Sequence, residues 1–262
     1  MNALFSALWA EALKAFRSRV LLVTLIVSLV IPLAGGLFMI ILKDPAQARS
    51  MGLLSTKAQL TMGEASWPAF LGFMTIGAGA FGAVLFAMTT IWVFGREFSD
   101  HTVKEWLALP APRAAIVAAK YAGIAVWCLV LAMVMYLGSM AVGAAVGISG
   151  WTPDIPGTAL HSVLLASLLN LMLMPPVALV ASMGRGFLPP VAWLFTTLGL
   201  ADLSNVLGYG DWFPWTAPLL AGGPVGTNTT TLGFHSYVMV ALVFVAGLAA
   251  LFAWWRSADQ AN

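Results

Sequence analysis

Charge is what this sequence has least of. Asp, Glu, Lys and Arg make up 8% of its 262 residues while 61% are hydrophobic, against roughly 25% charged in a soluble domain. A chain so poor in polar groups cannot clothe itself in water. Its single cysteine, Cys128, lies inside an apolar run, which excludes a disulfide framework. Three scattered histidines and no paired carboxylates in the apolar runs leave no metal site in view. None of the five lysines follows a glycine. The loop that cradles phosphate is therefore missing, and the chain does not hydrolyse ATP by that route.

What is present is long apolar sequence. Six runs reach the roughly 20 residues needed to cross about 30 Å of hydrocarbon: 20–42, 68–94, 121–148, 159–183, 188–207 and 234–255. They are apolar on every face, not alternating as barrel strands would be. The expected fold is all-α, one transmembrane domain of six helices over residues 1–262. The first run is too long for a signal-peptide core and is expected to stay as an anchor. Nine basic residues (Lys14, Arg17, Arg19, Arg96, Lys104, Arg113, Lys120, Arg185, Arg256) fall on one side and Lys43, Arg49 and Lys57 on the other. The positive-inside rule then places both termini in the cytoplasm.

Ahead of the first run, Leu4, Phe5, Leu8, Ala12 and Phe16 recur at helical spacing, with Glu11, Lys14, Arg17 and Arg19 gathered late. This predicts an interfacial amphipathic helix with its apolar face among lipid headgroups. Pro175 and Pro176 must bend or break the fourth span. Prolines and aromatics in 208–233, among them Trp212, Phe213, Pro214 and Trp215, predict short re-entrant or interfacial pieces instead of a seventh span. Glycines 72, 77, 79 and 82, with Gly143 and Gly147, allow close helix approach, within one subunit or between two.

Three motifs bear on chemistry. Leu220 to Pro224 faintly matches an ATPase signature but stands alone. Gly147-Ile148-Ser149-Gly150 has the pattern of a rhomboid protease nucleophile, with His235 opening the sixth run on the same side. The solvated turn that follows it, with Trp151, Pro153, Asp154 and Pro156, suits a loop serine better. The third motif lies in Gly95 to Lys120, read as the one long cytoplasmic loop. Thr102-Val103-Lys104-Glu105 fits a capping box, predicting a two-turn helix that ends before Pro110. Val103, Trp106 and Leu107 form its apolar face, and Glu97, Asp100, Lys104 and Glu105 supply charge. So short a helix needs something to pack against.

The order Arg96-Glu97, Thr102, Leu107, Leu109-Pro110, Arg113, Ile116 and Lys120 resembles the join between the second and third helices of type 2 ABC export permeases. Glu11, Lys14, Arg17 and Ser18 resemble the start of the same subunits, and Phe213-Pro214-Trp215 with Pro218 the segment before their last helix. His101 departs from the pattern, which usually has glycine there. The resemblance implies a non-catalytic permease subunit in a bacterial plasma membrane, paired with a second permease subunit and driven by a cytoplasmic ATPase dimer. That partner, not this chain, would hold ATP; no cofactor and no nucleic acid are expected, and membrane lipids are. The 102–109 helix would be the coupling helix, with Arg96, Glu97, Asp100, Thr102, Val103, Glu105, Trp106, Leu107 and Arg113 as ATPase-coupling residues. Asp202 and Asn170, polar groups within the fifth and fourth runs, are candidates for a translocation path or dimer seam. An amphipathic drug, antimicrobial peptide or lipid-like molecule is the expected cargo. A membrane assembly or immunity factor of the same shape is the alternative.

Overall fold

The computed structural model describes residues 3–44, 64–99, 112–221 and 232–257. Helices account for nearly all of them: α1 (Ala3–Arg17), α2 (Val20–Ser28), α3 (Val30–Lys43), α4 (Trp67–Ser99), α5 (Arg113–Val146), α6 (Ile155–Met172), α7 (Met174–Met183), α8 (Leu188–Val206), α9 (Ala217–Leu220) and α10 (Phe234–Ser257). Two 3-10 turns, Gly210–Trp212 and Pro214–Thr216, precede α9.

Proline sets the breaks. Pro32 lacks an N–H and crowds the carbonyl four residues back, that of Ser28, and the first span is interrupted at Leu29. Pro175 and Pro176 do the same to Leu171 and Met172, so α6 gives way to α7 at Leu173. A carbonyl freed at this depth needs another donor, and the Tyr121 hydroxyl supplies it to Leu171 O at 2.8 Å. Neither α4 nor α5 contains an interior proline beyond its first turn, and they run unbroken for 33 and 34 residues, each about 50 Å. α5 stops at Gly147, whose φ of 64° places it in the left-handed region, with its N–H returned to Ala144 O and Gly143 O.

Among the described residues, five segments are long and apolar enough to cross a bilayer: Val20–Lys43, Trp67–Ser99, Arg113–Val146, Ile155–Met183 and Phe234–Ser257. The fifth expected span forms a helix, α8, of 19 residues but is not apolar enough to join them, because Pro189, Pro190, Asp202 and Asn205 dilute it. α8 nonetheless starts where Phe187 lies against Gly95 and leads to Gly210, beside Asn205. Its outer face is apolar, with Phe195, Leu200, Leu203 and Val206 exposed.

Charge is divided between the two ends of the bundle. Among the described residues, Lys14, Arg17, Arg19, Arg96, Arg113, Lys120, Arg185 and Arg256 lie at one end, called here the basic end. At the opposite end Lys43 is accompanied by Asp44, Glu64, Asp154, Asp202 and Asp211.

The core, centred on Phe86, Phe94, Ile124, Leu131, Val177 and Trp255, runs between α4, α5, α7 and α10. Glycines let it close: Gly143 faces the Trp67 ring, Gly77 faces Ile31, and Gly247 faces Pro175 and Pro176. The segment from Gly210 to Leu220 enters the bundle from the opposite end as a self-bonded unit, the Thr216 hydroxyl donating to Gly210 O and Phe213 O. Its α9 rests on Gly79, where a Cβ would fall 2.5 Å from Pro218 O. Gly79 is 12 residues into α4, about 18 Å along it, so the segment is re-entrant. Gly79→Ala should accordingly lower stability by about 1–3 kcal/mol, although Gly→Ala in a helix ordinarily adds about 1 kcal/mol. Gly199→Ala, where a Cβ meets nothing within 4 Å, should not. Equal melting temperatures for the two variants in detergent would show that α9 does not need this contact.

Candidate functional site

The polar groups of the basic end converge on one cluster. Glu11 and Lys14, three residues apart on α1, share its inward face with the buried Ala7. Phe5, Trp9 and Phe16 point the other way and are exposed. α1 thus turns its ionic side to the protein and leaves these aromatics exposed. α4 contributes Glu97 and α5 contributes Lys120, only 2% and 1% exposed. Glu97 Oε1 accepts from Lys120 Nζ at 2.8 Å and from Lys14 Nζ at 2.9 Å. Glu11 Oε1 accepts from Lys14 at 3.0 Å and from Lys120 at 3.3 Å. Two carboxylates and two ammonium groups thus form a closed, charge-balanced ring joining three helices. Lys120 also donates to Val93 O at 3.3 Å. Taking such charges out of water is tolerated only when each is paired and hydrogen-bonded.

This cluster revises the reading of Gly95 to Lys120 as a loop. α4 continues to Ser99 and α5 begins at Arg113, so Glu97 and Lys120 sit in helices. Glu97, expected to meet an ATPase at the surface, points inward. Of the other coupling candidates, the Arg96 guanidinium lies 4.9 Å from the Trp92 ring centroid. Arg113 Nη1 donates to Trp255 O at 3.4 Å and Arg256 O at 3.2 Å, a cation on the carbonyl end of α10. Asp100, Thr102, Val103, Glu105, Trp106 and Leu107, with the expected 102–109 helix, lie outside the described residues.

The two path candidates are not brought together. Asn170 is fully buried, its amide donating to Ala78 O at 3.1 Å and Gly79 O at 3.0 Å, which fastens α6 to α4. Asp202 is exposed on α8. The protease pattern does not assemble. Ser149 Oγ donates to Ala65 O at 3.0 Å, and its own carbonyl accepts from Trp67 N at 2.9 Å, so it pins a turn. His235 pairs with Asp211 at 3.1 Å and stacks on Trp212 at 4.4 Å. No group of three or more possible metal ligands occurs among the described residues.

Sequence reasoning quoted Glu11, Lys14 and Lys120 but did not join them to Glu97. The available signal was a glutamate and a lysine inside otherwise apolar helices, each of which requires a partner.

The fold is that of a multi-pass helical membrane protein, with its buried ionic contacts gathered at the basic end. Residues 7–200 match the ABC-2 family of transporter proteins, and the chain belongs to that family. It is similar to the bacitracin transport permease protein of Bacillus licheniformis, 21% identical over 179 residues that cover 68% of this chain and 85% of that protein. No solved structure is significantly similar.

Proposed function

We propose that the chain is the permease subunit of an ATP-driven exporter in a bacterial plasma membrane. It crosses six times, with α8 as the fifth crossing and both termini in the cytoplasm. Work enters from a separate ATPase dimer through residues 100–111, and a second permease subunit completes the transporter. The observation that carries this reading is the ion ring between the two helices that flank that segment in the chain: Glu97 is on α4, Lys120 is on α5, and α1 is tied to both. A push there would reach three helices at once. Glu97 braces this junction, while Arg96, Arg113 and the Val103, Trp106 and Leu107 face meet the partner. The aromatic, charge-poor walls favour an amphipathic cargo, and the similarity to a bacitracin permease favours a drug or antimicrobial peptide.

The orientation is tested with single cysteines at two exposed positions, Ser99 at the basic end and Tyr209 at the opposite end. An impermeant maleimide should label Tyr209→Cys in intact cells and Ser99→Cys only after permeabilisation. The reverse pattern would overturn the assignment.

A further inference from the structure

A cavity of about 470 Å³ opens between α1–α2 and α4–α5, within the 300–1,000 Å³ typical of ligand sites. Its walls are apolar, formed by Leu21, Trp92, Ile124 and Trp127 among others. Trp127 is fixed as one wall by its indole N–H, which donates to Thr24 Oγ1 at 3.1 Å. Along α4 the lining runs from Thr89 to Glu97, and along α5 from Ala119 to Trp127, about 12 Å in each case. The cavity is therefore a slot parallel to the helices. On the α5 side it opens outward past Ala122, Gly123 and Val126, all exposed. One end is polar: Lys14, Arg96 and Lys120 against Glu11 and Glu97, a net charge of +1 (three positive, two negative). Arg17 ends α1 and Arg19 directly precedes α2.

We infer that this slot holds an acyl chain of an anionic phospholipid from the leaflet at the basic end. Water has little to bond to along such walls, whereas a hydrocarbon chain matches both their chemistry and their direction. The positive end and the two following arginines lie where the headgroup of that lipid would be, and basic side chains at the membrane surface favour anionic lipids. A bound chain would fill the gap between α2 and α5 just above the ion ring, making lipid part of the structure that holds α1. The inference concerns a resident lipid and stands independently of cargo and of transport direction.

Gly123 lines the slot, and a Cβ built there meets nothing within 4 Å, so a larger side chain can occupy the space without clashing. The full chain, purified in detergent and offered equal phosphatidylglycerol and phosphatidylcholine, is examined by native mass spectrometry. The wild type should retain one phosphatidylglycerol with at least about tenfold preference. Gly123→Leu should reduce that retention about tenfold, and Gly199→Leu, at an equally open position on α8, should not. Ala122→Leu provides a second filled slot should Gly123→Leu fail to fold. Equal retention of the two lipids, undiminished retention in the filled variants, or displacement of the lipid by bacitracin at equal concentration would each overturn the inference.

Discussion

Glu97→Gln should lower the melting temperature of the purified full chain by roughly 10 °C. Glutamine keeps the size of the side chain but removes the charge on which Lys120 Nζ and Lys14 Nζ converge at 2.8 and 2.9 Å. Lys14 is part-exposed and can swing toward water. Lys120, 1% exposed, cannot. Removing one charge from a buried ionic cluster typically costs about 3–5 kcal/mol, because Lys14 and Lys120 must then share the single carboxylate of Glu11 and an excess positive charge stays buried. At about 2–4 °C per kcal/mol for a chain of this size, the expected drop follows. Adding Lys120→Met should restore more than half of the loss, since the remaining Glu11 and Lys14 are three residues apart and balance each other. A double variant no more stable than the single one would show that excess buried charge is not the cause. An unchanged melting temperature in Glu97→Gln would remove the ring from the account altogether.

Trp106→Ala should leave the chain folded and inserted while ATPase co-purification falls about thirtyfold and transport becomes uncoupled from hydrolysis. The size of the effect is that of a central aromatic anchor, typically more than 2 kcal/mol in a protein interface. Neighbouring Glu105 would add more to specificity than to affinity. Because Trp106 belongs to 100–111 and Glu97 to α4, the two substitutions separate the two roles. Glu97→Gln acts on stability, and Trp106→Ala acts on partner binding at constant stability. If Trp106→Ala keeps full ATPase binding and full transport, the segment is only a connector and the exporter proposal loses its mechanical input.

How much could be read in advance is best seen at Glu97 and Lys120. Sequence pattern treats a charge after an apolar run as the end of a span, and so placed both residues in a loop from 95 to 120. Their actual partners come from 83 and 23 positions away, a distance over which local pattern carries no information. The same limit hid the role of α1: the spacing of Phe5, Leu8 and Phe16 predicted an amphipathic helix but not that Glu11 and Lys14 would bind it to the bundle. The break at Leu173 and the short pieces before α10 were legible, because proline acts on its own neighbours. α8 is the intermediate case, a helix where one was expected yet too polar to be placed in the membrane on composition alone.

α10 joins features from both ends of the molecule. Its last turn is bonded to Arg113, where the chain re-emerges from 100–111, and to Ser182 through the Trp255 indole at 3.1 Å. Its first turn holds the re-entrant segment, Ser236 Oγ donating to Asp211 O at 2.6 Å and His235 pairing with Asp211. Near its midpoint Gly247 bears on Pro176, where a Cβ would come within 2.7 Å of the ring. A helix of 24 residues, about 36 Å long, held at both ends and closely packed near its middle, is a strut that ties the basic end of the molecule to the opposite one.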